Sequence, residues 1–573
     1  MSHVILVTYS GYIKTPSSLA LDNGLANLAG ALIQAGHEVL IEDYNRLSIL
    51  EKMTPPGISE MATEAFKAAN TASSDSFARI RELQDKLDSY QERIVGEIFE
   101  DLSRLIVQHR TSVIGFKCWG SDGAAAVKRW CELIRGRFPE LKILLGGSCC
   151  SVAPEHTARY IGNFDLMAIG EAEESILGML EHFEGRRALS EVSGVLYRDP
   201  RVPKDAEPRY IKNPPALLKD LDQLPYPNYS REVYPSAWTG EKLNMVVLDE
   251  SRGCPVQCNF CVHPTYAGSW RVKSAARIVE EIKAIQSLMG TRYFRLAGSN
   301  TPPSVLKQMA RRVLDEGIDM RFSCFLHVNS VKSEDLPPLR EAGLRCVFYG
   351  IESADDRLLK EVANKKTNAD RMYRVTKATT EQRIFTTGSF IYPMPFETPE
   401  SREKTVTFIK DLFGGNAYAS AQFLNPAPMP DTEWWRERRK YGFEFNDAEY
   451  ILKMITSPVR HMFPPELQEL LPYRLQGKTH RDLANELGAL IAELKNDKVI
   501  YNISDDVAII AHGCGMHPSR LKDELLPAFM FGDLQKIRKM IEDFNAKRCR
   551  SERPFATFKE PNRRSPELPL GSA

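Results

Sequence analysis

The chain lacks charge bias, long apolar runs and internal repeats. Its 75 Lys and Arg are balanced by 75 Asp and Glu, so the formal net charge is zero, which excludes a polybasic nucleic-acid-binding chain. No apolar stretch reaches the roughly 18 residues of a membrane span. Cysteine is scarce: eleven in 573 residues are too few for a disulfide scaffold. They predict a reducing cytoplasm in which cysteines are ligands or core residues. The opening, Met1-Ser2-His3-Val4-Ile5, has neither a basic leader region nor a cleavage site and reads as a strand. With 43 % hydrophobic and 26 % charged residues, the composition is that of a globular protein. At roughly 100–200 residues per domain, the length predicts about three to five domains.

What is present divides by pattern. Over residues 1–200, strand-like runs at 4–8, 37–42, 112–116, 142–145 and 166–169 alternate with helical stretches, predicting a doubly wound, Rossmann-like parallel sheet. A polar helical segment at 58–109 interrupts it and reads as a solvated, inserted helical pair. Residues 201–240 read as a linker, because 199–227 carry Pro203, Pro208, Pro214, Pro215, Pro225 and Pro227. From 241 to 440, runs at 246–249, 293–297, 321–327, 347–350, 386–391 and 419–424 predict a partial (β/α)₆, TIM-like barrel. Residues 441–573 read as a helical C-terminal domain ending in a polar tail from 547.

Three of the cysteines carry chemistry. Ser251-Arg252-Gly253-Cys254-Pro255-Val256-Gln257-Cys258-Asn259-Phe260-Cys261 follows the first strand of the second alternation. The spacing C-x₃-C-x₂-C lets one curled loop aim three soft thiolates at an iron–sulfur cluster or zinc. No fourth ligand follows at finger-like spacing, and His263 is too close, so the site is open where a structural zinc would be closed. This segment resembles the radical S-adenosylmethionine (SAM) superfamily. The resemblance implies that Cys254, Cys258 and Cys261 hold a [4Fe–4S] cluster whose remaining iron binds SAM, with Phe260 near the adenine. Gly298-Ser299-Asn300 stands where the family often has a Gly-Gly-Glu-like turn, with Ser299 in place of the acid. Gly350-Ile351-Glu352-Ser353 resembles the family's Gly-Ile-Glu-Ser segment, and 387–398, including Tyr392, resembles its fifth-strand segment; both are expected to face SAM. Arg271 is read either as a surface cation or as a partner of the SAM carboxylate.

In a doubly wound sheet, ligands bind beyond the carboxyl ends of the strands. Gly24, the 115–120 segment with Lys117, Cys118 and Trp119, the turn Gly146-Gly147-Ser148, and Gly170-Glu171 all fall there. Together with Leu28-Ala29, Leu32, Gly36-His37, Pro154-Glu155 and Glu173, these turns resemble the cobalamin-binding domain that precedes the barrel in one large radical SAM class. Gly24, Lys117, Cys118, Trp119, Gly146, Gly147, Ser148, Gly170 and Glu171 are the cobalamin-facing residues the resemblance implies. The Asp-x-His-x-x-Gly signature of an axial histidine is absent; the equivalent turn reads Leu21-Asp22-Asn23-Gly24, and His37 reads as a helix-to-strand connector.

Both resemblances imply a cobalamin-dependent radical SAM methyltransferase of the class B type. It would methylate an unactivated carbon, or phosphorus, of a small-molecule or peptide natural product through a 5′-deoxyadenosyl radical and methylcobalamin. The cofactors would carry the hard chemistry, with flavodoxin or ferredoxin as electron donor and no nucleic-acid or membrane partner. Cyclisation, rearrangement or another SAM-derived group transfer on the same cofactors is the alternative; a non-catalytic iron–sulfur or cobalamin sensor is the second. His327, Tyr392, Asn425 and His512 are candidate substrate contacts. His512-Gly513-Cys514-Gly515-Met516-His517 resembles a metal-ligand run but reads as a turn, and Cys149-Cys150 as core.

Overall fold

A computed structural model of the chain describes residues 1–61, 64, 74–203, 205–457 and 470–546. The apolar run at the start forms β1 (His3–Thr8), buried along nearly all its length, as a central parallel strand must be. Four parallel strands join it: β2 (Glu38–Asp43), β3 (Val113–Lys117), β4 (Lys142–Gly146) and β5 (Leu166–Ala168), in the order β2-β1-β3-β4-β5. Antiparallel β6 (Val195–Arg198) and β7 (Tyr210–Lys212) extend the far edge. Strand β7 comes from the proline-rich stretch expected to be a linker; three residues are too short a run to show a period. The strand order reverses between β1 and β3, the switch point at which such sheets hold ligands.

Side-chain alternation covers both faces. Val4 and Leu6 pack with helices Asn23–Gln34 and Glu173–Phe183, while Ile5 and Val7 pack with Ser74–Gln108 and Asp122–Arg137. Helix Ser74–Gln108 corrects the expected solvated insertion: Ile94, Ile98, Leu102 and Ile106 recur every fourth residue and bury one stripe against the sheet. It is the crossover between β2 and β3, and its abundant charge lies on the remaining faces. Residues 62–63 and 65–73 of the expected helical pair lie outside the described residues.

The second sheet begins at β8 (Met245–Leu248). A two-stranded antiparallel ribbon follows, β9 (Ser251–Arg252) with β10 (Arg271–Val272), so the cysteine loop is closed at its base. Then come β11 (Tyr293–Leu296), β12 (Arg321–Leu326), β13 (Leu344–Glu352), β14 (Phe385–Ile391) and β15 (Ala419–Leu424). All six run parallel in the order β8-β11-β12-β13-β14-β15, and β8 does not pair with β15, so the barrel stays open. The free edge of β15 is covered by residues 499–502: Ala421 donates to the Ile500 carbonyl at 2.9 Å, and Asn502 donates back to Ala421 at 2.9 Å.

Beyond the barrel the chain is largely helical, as expected, with a small antiparallel sheet added: β16 (Phe443–Phe445), β17 (Tyr473–Leu475) and β18 (Lys478–Thr479). Helix Asp505–Gly513 buries Val507, Ile509 and Ile510 with Met245, Tyr293, Cys346 and Phe385, which stopper the amino-terminal end of the barrel. The polar tail at 547–573 lies outside the described residues. Among the described residues no helix is long and apolar enough to cross a membrane.

Candidate functional site

The carboxyl ends of both sheets face one another across a cavity of about 310 Å³. From the first sheet come Leu6, Gly115 and Leu144, then Gly24, Lys117, Gly146, Gly147, Gly170 and Glu171 at the strand ends; from the barrel come Asp249, Arg252, Gly253, His263, Tyr266 and Ala297. Apart from charged residues such as Lys117 and Glu171 at the strand ends, the first-sheet wall is mostly glycine and apolar side chain, which leaves the backbone accessible to a large, flat group. Six of the sequence-predicted residues therefore line one space. Cys118, Trp119 and Ser148 are not among its lining, and Cys118 is buried in the core. Trp119 stands beside Lys117, its ring 4.3 Å from Lys117 Nζ and its Nε1 donating to Thr8 Oγ1 at 3.0 Å.

Lys117 is held by Asp22, 2.8 Å away. Burial opposes ionisation of Asp22, but the Lys117 ammonium and the Leu25 N–H outweigh it and keep the carboxyl below its usual range. Across the cavity an ionic network joins the two sheets. Asp249, at the tip of β8, accepts from Asn23 at 2.8 Å and Asn27 at 2.9 Å. Arg252 reaches Glu173 at 2.6 Å, Asp249 at 3.1 Å and Glu171 at 3.3 Å. Arg271 is neither a surface cation nor free for a ligand: it is buried, pairs with Glu171 and donates to the carbonyls of Leu218 (3.0 Å) and Ala267 (2.8 Å).

The cysteine loop is built on Gly253, whose φ of +77° and position 2.4 Å (as a notional Cβ) from the Ser269 carbonyl admit no side chain. Cys254, Cys258 and Cys261 are half-buried free thiols. Burial pushes Cys258 up to about 12 and raises the other two, while the Lys365 ammonium nearby pulls all three down. Among the described residues no three His, Cys, Asp or Glu side chains converge as a single ion requires. A cuboidal cluster asks instead for separate thiolates, each on its own iron, and an all-sulfur donor set in one loop fits it. Phe260 projects from the same turn and packs against Trp434, ring centroids 5.6 Å apart.

Deeper in the barrel, exposure alternates. Val247, Arg295, Ala297, Phe325, His327, Phe348 and Gln422 are half-buried between fully buried neighbours, so the inward face is not filled. At the turn after β11, where Ser299 stands without an acid, Glu250 supplies the carboxylate: it accepts from Gly298 N–H at 2.9 Å and Thr301 Oγ1 at 2.7 Å. Burial raises its pKa. Glu352 pairs with Lys365 at 2.8 Å and accepts from Ser389 at 3.2 Å, while Ser353 Oγ meets Thr405 Oγ1 at 3.3 Å.

Several candidate contacts are engaged in the fold. Tyr392 OH accepts from Arg402, and Asn425 donates to the Tyr392 carbonyl at 2.8 Å. His327 Nε2 meets the Lys365 carbonyl at 3.2 Å. His512 lies in the helix below the barrel, and both ring nitrogens of His517 are occupied, by Ser519 and by the Ala417 carbonyl. Glu250, Arg252, Arg295 and Lys365 were not singled out by sequence reasoning; only Glu250 and Arg252 had a signal, their place beside the cysteine loop.

Residues 251–409 match the family profile described as the radical SAM superfamily. An uncharacterised methyltransferase of Pyrococcus horikoshii is 25 % identical over 344 residues, 59 % of this chain and 71 % of its own length. The cytidylyl-2-hydroxyethylphosphonate methyltransferase of Streptomyces wedmorensis is 24 % identical over 378 residues, 60 % of this chain and 70 % of that one. Among solved structures, TsrM from Kitasatospora setae, a radical S-adenosylmethionine methyltransferase with cobalamin and a [4Fe–4S] cluster bound, superposes with a TM-score of 0.61 at 16 % identity, covering 95 % of this chain and 100 % of TsrM. The two chains share a fold.

Proposed function

As a member of the radical SAM superfamily, this chain is, we propose, a cobalamin-dependent methyltransferase acting on an unactivated carbon or phosphorus of a small-molecule or peptide natural product. The observation that carries this reading is the shared cavity: the switch-point face of the first sheet and the residues that flank the cysteine loop, Arg252 and Gly253 before it and His263 and Tyr266 after it, line the same space. Two sequence relatives named as methyltransferases support it. When bound, the cluster supplies the electron that cleaves SAM to a 5′-deoxyadenosyl radical, and cobalamin carries the methyl group to be transferred.

The chain's own residues position and enclose. Cys254, Cys258 and Cys261 hold the cluster as thiolates, losing on binding the protons that burial favours on the free thiols. Gly24, Gly146, Gly147 and Gly170 let cobalamin lie against backbone, with Lys117 and Trp119 at its rim. Glu352 and Ser353 face SAM from β13, with Phe260, Gly298, Ser299 and Tyr392 around it. The Asp249–Arg252–Glu173 network sets the distance between the two halves, which decides whether the reacting groups meet. The half-open inner face of the barrel receives the substrate, and the mostly apolar first-sheet wall excludes water. A flavodoxin or ferredoxin delivers the electron, and the enzyme works in the cytoplasm.

The test is anaerobic reconstitution with iron, sulfide and hydroxocobalamin, followed by SAM and a low-potential reductant. We expect 5′-deoxyadenosine to form, and cobalamin to acquire a methyl group from SAM. 5′-Deoxyadenosine without bound cobalamin would sink the methyltransfer route. Bound cofactors with no reaction of SAM would favour the sensor reading.

A further inference from the structure

The pair Lys365–Glu352 is fully formed inside the protein, with Lys365 6 % and Glu352 5 % exposed and Nζ 2.8 Å from Oε1. A buried ion pair is a poor stabiliser beside apolar residues of the same volume, so its presence at the barrel mouth asks for another reason. The fold makes deliberate room for it. A Cβ on Gly350 would stand 2.6 Å from Lys365 Nζ and 2.5 Å from Glu352 Oε1. Asn364 and Lys366, on either side, take left-handed φ of 54° and 55°, as does Glu352 at 65°, each at a cost of about 1 kcal/mol or more.

The same segment is strapped to the cysteine loop. Asn259 donates its N–H to the Ala363 carbonyl at 3.0 Å and its amide to the Val362 carbonyl at 3.2 Å, and Asn364 donates back to Gln257 at 2.7 Å. Lys365 itself donates its N–H to Leu359 at 2.8 Å, and its ammonium lies 6.0 Å from the ring of Phe260, inside the Cys258–Cys261 turn. The ammonium, beside Phe260, is the end of the pair that the strap brings to the cysteine turn.

We propose that Lys365 sets the reduction potential of the cluster held by Cys254, Cys258 and Cys261, its ammonium favouring the more negative, reduced state while Glu352 opposes it. The inference rests on the cluster reading above. Reduction adds one negative charge, supplied by a one-electron donor, and in a low-dielectric interior a nearby cation stabilises that charge far more than in water.

The test is a redox titration with dithionite, followed by EPR of the reduced cluster, on chains reconstituted with ferrous iron and sulfide, without SAM or cobalamin. Lys365→Met should make reduction about tenfold less favourable at a given potential, a shift of about 59 mV to more negative values for one electron. Glu352→Gln should shift the potential the other way, and Lys365→Arg should stay near the unmodified chain. Opposite signs are the signature, because loosening the strap alone would move both variants alike. Equal potentials throughout, or shifts of one sign, would overturn the proposal. If Lys365→Met takes up no iron, Glu352→Gln decides: its potential must lie above that of the unmodified chain. An unmodified chain that assembles no cluster overturns the proposed function together with this inference, whereas a loaded cluster with unmoved potentials overturns only the inference.

Discussion

Gly253 is the residue on which the cysteine loop turns. Any side chain there meets both a left-handed φ and the Ser269 carbonyl. Gly253→Ala should lose about 1–3 kcal/mol and lower the iron bound per chain, measured by denaturant titration and iron analysis; full loading at unchanged stability would contradict the geometry. A second single-residue effect is titration. Burial, with Arg345, Arg321 and Arg340 nearby, holds the His512 imidazole down to about 3. An unfolded chain protonates its histidine at about 6.5. Below about 6.5 the unfolded chain therefore takes up a proton that the fold refuses, and stability is lost as pH falls toward 3, by up to about 1.4 kcal/mol per unit. Glu42, raised by burial to about 7 from 4.5, works oppositely, since its contribution is lost as pH rises through that range. The difference between chains isolates the histidine: His512→Phe should flatten the acid limb of stability against pH. Parallel limbs would show that His512 is not buried as a neutral ring.

At the scale of elements, the ribbon of β9 and β10 does more than close the cysteine loop. Arg252 on β9 answers three carboxylates, two of them from the first sheet's side of the cavity. Arg252→Met leaves Glu173 without its cation, while Glu171 keeps Arg271 and Asp249 its two asparagine donors; the change should cost about 3–5 kcal/mol and weaken hydroxocobalamin binding, followed by its visible absorbance. A variant with unchanged stability and binding would show that the network is ornamental. This element marks the limit of what was legible in sequence. The parallel strands were readable because burial on both faces makes each an apolar run, and the cysteine loop because its ligands are close in the chain. Arg252–Glu173 and Arg271–Glu171 are pairings across 79 and 100 residues, and no local period announces them. Lys365 is a lysine among polar neighbours, meaningful only once β13 and the strap are folded. Helix Ser74–Gln108 was legible as helix, but its buried stripe was outweighed by charge on its other faces, and so it read as solvated.

At the scale of the whole molecule, two sheets of different strand order turn their carboxyl ends toward each other. The C-terminal helix Asp505–Gly513 stoppers the far end of the barrel, with Asp505 gripping Arg295 at 3.0 Å and Ser323 at 2.9 Å. The cavity is thus left as the shared space of both halves. The central claim is that a cluster on the cysteine loop and a cobalamin on the first sheet occupy it together. The most direct measurement is EPR of the chain loaded with both, in which cob(II)alamin and the reduced cluster are each paramagnetic. The account predicts one cobalamin per chain and a cob(II)alamin signal broadened or split when the cluster is reduced. A signal that is unchanged by reduction of the cluster would place the two groups apart and contradict it.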